Sequence, residues 1–102
     1  MLQVTFFIGL NDKDSKQQEI STIDAFKIVE NIFNTYTEGA TIRECRGIYK
    51  HENGEHVIEN TLECFTFEIT DDEIKNIVSI IKSLLNQESI LVRKENVNTM
   101  FM

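Results

Sequence analysis

The stretch TIRECRGIYKHENGEHVIENTLECFTFEIT, residues 41–70, decides the fold that we predict for this chain. Two runs rich in apolar residues flank an Asn-Gly pair at 53–54. Asn-Gly between such runs is a strong short signal for a β-hairpin, because a type I′ turn requires two residues that tolerate positive φ. The stretch therefore predicts two paired strands, at about 41–50 and 55–69.

A two-residue turn also fixes which residues face each other across the hairpin. Glu44 then lies opposite Glu63, with Arg46 beside them to neutralise the two like charges. Cys45 and Cys64 become diagonal neighbours on one face, at a separation that usually exceeds the reach of a disulfide. We therefore expect both thiols to be free, as in a reducing compartment.

The second strand of the hairpin changes character along its length. Phe65, Phe67 and Ile69 alternate with polar residues and are predicted to face the core. Upstream the alternation fails, at Val57-Ile58 and at Thr61-Leu62. The failure predicts either a β-bulge or a strand that extends beyond the sheet.

Two amphipathic helices are predicted on either side of the hairpin, at 21–37 and 70–86. Both segments carry apolar residues at helical spacing along one face. Ser21 is the expected N-cap of the first helix. Thr70 and Glu73 form a capping box at the start of the second helix.

The remaining apolar runs complete one domain over residues 1–102. Leu2–Leu10 reads as the first strand, and Ile90 opens the last. The resulting order βαββαβ predicts an α+β fold, the ferredoxin-like sandwich, in which two helices cover one face of a four-stranded antiparallel sheet.

The other face of this sheet is predicted to be open. Phe7, Tyr49 and Leu91 are expected to line it. An open apolar face favours contact with a partner or with a second copy, so one hypothesis is a small regulatory or ligand-binding module that acts as a homodimer.

The charge balance excludes several classes of protein. The chain has 17 acidic and 10 basic residues, a formal net charge of -7. This balance argues against direct binding of nucleic acid, which requires a basic surface. No apolar run is long enough to span a bilayer, and the first residues lack the basic region of a signal peptide. We therefore expect a cytoplasmic protein.

No catalytic motif is present. His51 and His56 face each other at the base of the predicted hairpin, but a third metal ligand is not evident, so we expect no metal site. The four glycines are isolated, which excludes a glycine-rich phosphate loop. No spacing suggests a Ser-His-Asp or Cys-His set. The sequence predicts a non-enzymatic protein without a cofactor.

The most unusual feature is a run between Lys50 and Lys75 that contains no Lys or Arg but eight acidic residues. Three of these acids fit the first turn of the second helix, where negative charge is favourable. The others predict an acidic ridge that binds a basic protein surface, unless they only keep an edge hairpin soluble. The predicted partner-binding residues are Glu52, Glu55, Glu59, Glu63, Glu44 and Tyr49.

Four segments carry a resemblance to small proteins of phages and mobile elements in low-GC bacteria. They are residues 9–13 (GLNDK), 47–49 (GIY), 59–63 (ENTLE) and 86–90 (NQESI). The resemblance implies an inhibitor of a host defence nuclease, of the kind that anti-CRISPR proteins represent. In that case the partner is a CRISPR effector complex in the host cytoplasm, and the acidic ridge occupies its basic nucleic-acid-binding surface.

Overall fold

The computed structural model describes residues 1–50 and 52–102. Its elements follow in the order βαββαβ and form an antiparallel sheet of order β2-β3-β1-β4. The predicted α+β ferredoxin-like sandwich is therefore confirmed. The elements are β1 (Leu2–Gly9), α1 (Thr22–Tyr36), β2 (Thr41–Lys50), β3 (His56–Phe67), α2 (Asp71–Leu84) and β4 (Leu91–Asn96).

Both helices begin at the predicted caps. The Ser21 hydroxyl accepts the N–H of Asp24 at 3.1 Å, which satisfies one of the unpaired amides of the first turn. At α2, the Thr70 hydroxyl accepts the N–H of Glu73 at 3.1 Å, while the Glu73 carboxylate accepts the N–H of Thr70 at 2.9 Å. Within the described residues, no helix is long and apolar enough to cross a membrane.

The core lies between the two helices and one face of the sheet. Phe6, at the centre of β1, is fully buried, and its ring lies edge-on to Phe33 of α1 with 5.3 Å between the centroids. Ile77 and Ile81 of α2 complete the cluster from the other side. Because both helices pack on this face, the opposite face of the sheet, here called the open face, has no helix over it.

The hairpin turn differs from the predicted one, and the register of β2 and β3 shifts by one residue as a result. Lys50 pairs with His56, so residues 51–55 connect the strands. Gly54 has a φ of +89°, but Asn53 does not take positive φ, as a type I′ turn requires. Instead the Asn53 side chain accepts the N–H of Glu55 at 3.0 Å, a local bond that competes with the tight turn.

The shift corrects two predicted pairings. Glu63 lies opposite Arg43 rather than Glu44, and the Arg43 Nε is 2.8 Å from the Glu63 carboxylate. Cys45 and Cys64 lie on opposite faces of the sheet rather than on one face. Both thiols are free, which confirms the prediction, although the diagonal geometry from which it was derived is wrong.

The predicted orientation of Phe65 and Phe67 is also wrong. Leu62 and Cys64 are fully buried beneath the helices, so the alternate positions of β3 lie on the open face. There Phe65 and Phe67 are half-buried and pack edge-to-face, with 5.9 Å between ring centroids. Ile69, beyond the end of β3, is buried as predicted.

The hairpin extends beyond the sheet. The last pair between β1 and β3 joins Gly9 to Thr61, whereas β2 and β3 continue to pair with each other as far as Lys50 and His56. We call residues 46–50 and 52–60 the arm. Of the two explanations for the broken alternation in β3, the extended strand is therefore confirmed, and the register continues without a bulge.

Candidate functional site

A groove of about 840 Å³ lies beneath the arm, at the end of the sheet away from Met1. Three segments that are distant in sequence line it. They are the loop that follows β1, the arm itself, and the turn that follows α2. We call this cavity the arm groove.

Side-chain amides hold two walls of the arm groove together. Asn86 donates from its Nδ2 to the carboxylates of Asp12, at 2.8 Å, and Asp14, at 2.9 Å. Gln87 is buried, and its Nε2 donates to the carbonyl oxygen of Asn11 at 2.9 Å. The loop after β1 is therefore fixed against the turn after α2.

These contacts change the acidity of Asp12. The hydrogen bond from Asn86, followed by those from the N–H groups of Ser15 and Asp14, lowers the pKa of Asp12 below its ordinary value. A carboxylate with a lowered folded pKa contributes stability above its ordinary pKa and loses it as the pH falls through the lowered value. We therefore expect this wall of the arm groove to loosen in acid.

Glu59 crosses from the arm to β1. One carboxylate oxygen accepts the N–H of Asn11 at 3.1 Å, and the group lies against Gly9. A Cβ at position 9 would overlap the Glu59 carboxylate. Gly47 is the register partner of Glu59 on β2. The carboxylate is thus held at a point where Gly9 leaves room for it.

The lining of the arm groove carries an excess of negative charge. Five carboxylates and three lysines line it, which leaves a formal excess of two negative charges. The acidic residues are Asp12, Glu52, Glu55, Glu59 and Glu88, and the basic residues are Lys13, Lys16 and Lys50. This balance favours a ligand that carries positive charge.

The structure brings together only part of the predicted partner-binding set. Glu63 lies further along β3 and pairs with Arg43, and Glu44 lies on the face that the helices cover. The six residues therefore do not share one surface. The four that line the arm groove are Glu52, Glu55, Glu59 and Tyr49.

The sequence did not point to the residues that build the walls. Asn11 and Asp12 belong to a loop whose polar composition is typical of a solvated connector, and Gln87 follows a helix end. A glycine at the end of an apolar strand is a signal of close approach by another group. Gly9, at the end of the first strand, is such a glycine, and it was the sequence signal for the contact with Glu59.

The predicted histidine pair involves His51, which lies outside the described residues. Its predicted partner, His56, is the register partner of Lys50. Among residues 1–50 and 52–102, no three His, Cys, Asp or Glu side chains come close enough together to hold a metal ion.

Neither cysteine has the lowered pKa of a reactive thiol. Burial raises the pKa of Cys64 to about 12. Cys45 is half-buried, and burial followed by the charge of Glu63 raises its pKa as well.

The open face carries the three residues predicted to line it. Leu91 is 67% exposed and Tyr49 is 37% exposed. Phe7 is half-buried, and the guanidinium of Arg93 lies 5.3 Å from the centroid of its ring. The arm groove opens at one end of this face, where Tyr49 belongs to both surfaces.

Comparison with known proteins gives matches in structure alone. No protein-family model matches the chain, and no curated protein sequence matches it. A phage SAM lyase in complex with S-methyl-5′-thioadenosine matches with a TM-score of 0.68 and 19% identity, over 92% of this chain and 79% of that chain.

Cation tolerance proteins also share the architecture. The periplasmic divalent cation tolerance protein CutA from Archaeoglobus fulgidus matches with a TM-score of 0.64 and 8% identity, over 99% of this chain and 88% of that chain. CutA1 from Pyrococcus horikoshii matches with a TM-score of 0.58 and 19% identity, over 99% and 87% of the two chains. At such identities the likeness shows a shared ferredoxin-like fold.

Proposed function

We propose that this protein is a small ligand-binding module that acts as a homodimer and takes a nucleoside with a sulfur-linked chain in the arm groove. The observation that carries the proposal is the arm groove itself. Its volume of about 840 Å³ lies within the range of small-molecule sites, roughly 300–1,000 Å³. The phage SAM lyase of the same fold, which holds S-methyl-5′-thioadenosine, supports this choice of ligand.

The lining of the arm groove suits a nucleoside. Tyr49 supplies an aromatic ring on which a base can stack. Asn53 and Ser89 supply hydrogen-bonding groups for a base or a ribose. Because the hydrogen bonds of Asn86 and Gln87 fix the opposite wall, the site needs little ordering when the ligand binds.

The binding test is a thermal unfolding experiment with S-methyl-5′-thioadenosine. A ligand that binds the folded state raises Tm with concentration. We expect such a rise for the wild-type protein and a much smaller one for Tyr49→Ala. Tyr36→Ala is the matched control, because Tyr36 is 42% exposed and lines a separate cavity near Met1. An unchanged wild-type Tm at millimolar ligand would contradict the proposal.

Dimer formation is proposed through the open face. Leu91 is 67% exposed on this face, and Phe7 lies nearby in register as its partner on β1. Light scattering is expected to give about twice the chain mass of 11.9 kDa for the wild-type protein. Leu91→Lys is expected to return the mass to that of one chain, and a single-chain mass for the wild-type protein would contradict the dimer.

We propose binding without catalysis. Incubation of the protein with S-adenosylmethionine, followed by chromatography, tests this statement. Intact nucleoside is the expected result. Appearance of S-methyl-5′-thioadenosine, absent from a sample with the Tyr49→Ala variant, would show an enzyme instead.

A second candidate function is inhibition of a host defence nuclease through its basic nucleic-acid-binding surface. Glu52 and Glu55 favour it, because they are exposed at the tip of the arm, away from the sheet. Two other predicted contact residues have partners within the chain, Glu59 at the N–H of Asn11 and Glu63 at Arg43. The acidic contact would therefore be made by the tip.

Cleavage of DNA by a purified CRISPR nuclease complex tests this candidate. Inhibition is expected from the wild-type protein, and it is expected to weaken as salt concentration rises. The double variant Glu52→Lys/Glu55→Lys is expected to lose it. Glu30→Lys/Glu38→Lys, on α1 and in the loop after it, is the matched control. Full nuclease activity at every concentration of wild-type protein would exclude this function.

A further inference from the structure

Among the hydrogen bonds of the described residues, Glu59 is the one carboxylate of the arm groove that accepts a backbone N–H from a different segment. Its carboxylate oxygen accepts the N–H of Asn11 at 3.1 Å, across a separation of 48 residues in sequence. The side chain is half-buried, whereas Glu52 and Glu55 are exposed. Glu59 therefore presents a charge at a defined point of the groove.

The local backbone supports this placement at Gly9. Gly9 lies beneath the carboxylate, and any side chain there would displace it. Gly47 lies opposite Glu59 on β2, but a Cβ at that position would come 3.9 Å from the Cγ of Glu59, an ordinary contact. The absence of a side chain at Gly9 is therefore what lets the Glu59 carboxylate reach β1.

The charge of Glu59 is not compensated by the contacts described in the structure. The ion pairs within the described residues join Arg43 to Glu63, Arg93 to Glu95 and Lys94 to Asp71. None of them includes Glu59. A half-buried carboxylate that takes part in no ion pair among residues 1–50 and 52–102 is a favourable place for a cation that arrives with a ligand.

We infer that Glu59 recognises a positive charge on the ligand, so the ligand is an organic cation of the sulfonium class rather than a neutral thioether. The inference rests on the proposed function, and it names the chemical class that the arm groove selects. The negative lining favours any cation weakly, because exposed carboxylates are screened by solvent. Glu59 adds selectivity because its position is fixed.

Two probes that differ by one methyl group and one charge test the inference. S-methyl-5′-thioadenosine is neutral at sulfur, and 5′-deoxy-5′-dimethylsulfonioadenosine is its S-methylated cation. Calorimetric titration of the wild-type protein is expected to show the cation bound about tenfold more tightly, the ratio that a favourable ion pair of this kind supports. Neither probe has the amino acid chain of S-adenosylmethionine, so both measure binding alone.

Glu59→Gln removes the charge and keeps an oxygen that accepts the N–H of Asn11. We expect it to lose most of the preference for the cation, leaving a ratio of about twofold or less from the remaining lining, with the affinity for the neutral probe unchanged. Gly9→Ala is expected to act in the same direction, because it displaces the carboxylate without removing it. Glu30→Gln, an exposed glutamate on α1 outside the arm groove, is the matched control, and we expect it to leave the ratio unchanged.

The failure of this inference differs from the failure of the proposed function. Equal affinity of the wild-type protein for the two probes, or an unchanged ratio in Glu59→Gln, would overturn the role of Glu59 and leave nucleoside binding intact. Absence of binding for both probes would overturn the proposed function and the inference with it. Circular dichroism of each variant shows whether it is folded.

Discussion

The body of the sheet and the arm are built from the same two strands, yet different interactions hold them. In the body, β3 has a neighbour on each side and helices over one face, so Leu62 and Cys64 are fully buried. In the arm, β2 and β3 have only each other, and the opposed pair Ile48 and Ile58 is 69% and 62% exposed. A two-stranded ribbon alone is marginal in water.

Polar contacts at its base hold the arm in place. The N–H of Leu10 donates to the carbonyl of Asn60 at 3.0 Å, and the Asn60 side chain donates to Gln18 at 2.8 Å. Glu59 adds its contact with Asn11. The body is therefore specified by buried volume, and the arm by individual hydrogen bonds. Substitutions in the two regions are expected to have different consequences.

The largest expected effect is the loss of stability when a buried apolar side chain of the body is truncated, compared with an exposed one of the arm. Phe6→Ala is expected to lower the free energy of unfolding by about 3–5 kcal/mol, because it leaves a cavity beside Phe33. Ile58→Ala in the arm is expected to change it by less than about 1 kcal/mol, because Ile58 is 62% exposed. Urea denaturation measures both. Similar losses for the two variants would mean that the arm is buried in the folded protein.

The next effect is a loss of stability in alkali that originates in the body. The pKa of the buried Cys64 thiol is raised to about 12 from an ordinary value of 9.0. Above the ordinary value the unfolded chain loses this proton while the folded chain keeps it, so stability falls as pH rises. Between the two pKa values, Cys64 lowers the free energy of unfolding by about 1.4 kcal/mol for each pH unit.

Cys64→Val removes the contribution of the thiol to the pH dependence of stability, because valine has no titratable group and keeps an apolar side chain of similar size. Urea denaturation of both proteins at pH 8, 9 and 10 gives the slopes. We expect the wild-type protein to lose more stability than Cys64→Val between pH 9 and 10. Parallel slopes would show that the thiol is accessible to solvent.

Removal of the arm tests whether the body folds independently of it. Replacing residues 48–58 by Asn-Gly joins Gly47 to Glu59 through a two-residue turn, the turn that the native sequence does not form. Circular dichroism is expected to show unchanged helix content, with Tm lowered by a few degrees. The ligand-dependent rise in Tm is expected to disappear, because one wall of the arm groove is gone. An unfolded variant would show that the arm is required for folding.

The smallest effect concerns the register that the arm imposes. Arg43 pairs with Glu63, whereas Arg46 takes part in none of the ion pairs within the described residues. Arg43→Ala is expected to lower Tm slightly more than Arg46→Ala, and the difference is expected to vanish in 1 M salt. The predicted register, in which Arg46 neutralises Glu44 and Glu63, would give the opposite order.

The elements were predictable because their signals are local. Ser21, Thr70 and Glu73 act within one helical turn, and both helices begin where these residues lie. The fold class followed from the order of such elements. The ends of the helices and strands differ from the predicted ends by no more than two residues.

The register was not predictable, because it depends on a competition at the turn. The Asn53 side chain bonds to the N–H of Glu55, and a two-residue turn gives way to a five-residue connection. When the register shifts by one residue, a side chain that was predicted to share a face with a given residue of the partner strand lies on the opposite face from it. The errors at Glu44 and at the cysteine pair have this cause. Phe65 and Phe67 were assigned from the alternation within β3, which does not tell which face of the strand the helices cover.

The arm groove was not predictable for a different reason. Its walls meet through contacts such as Glu59 with Asn11 and Gln87 with Asn11, which join residues 48 and 76 positions apart. Sequence patterns report periodicity within an element, whereas these contacts join loops from different parts of the chain. The acidic run did identify part of the lining, at Glu52, Glu55 and Glu59.

The packing of the Glu59 carboxylate on Gly9 also constrains how this sequence can change during evolution. A side chain at position 9 displaces this carboxylate from the N–H of Asn11, although the long Glu59 side chain can move aside without disrupting the fold. Wherever the placed carboxylate is under selection, glycine at position 9 is under selection with it. Related sequences that use glutamate at 59 in this way are expected to keep glycine at 9, 50 residues away.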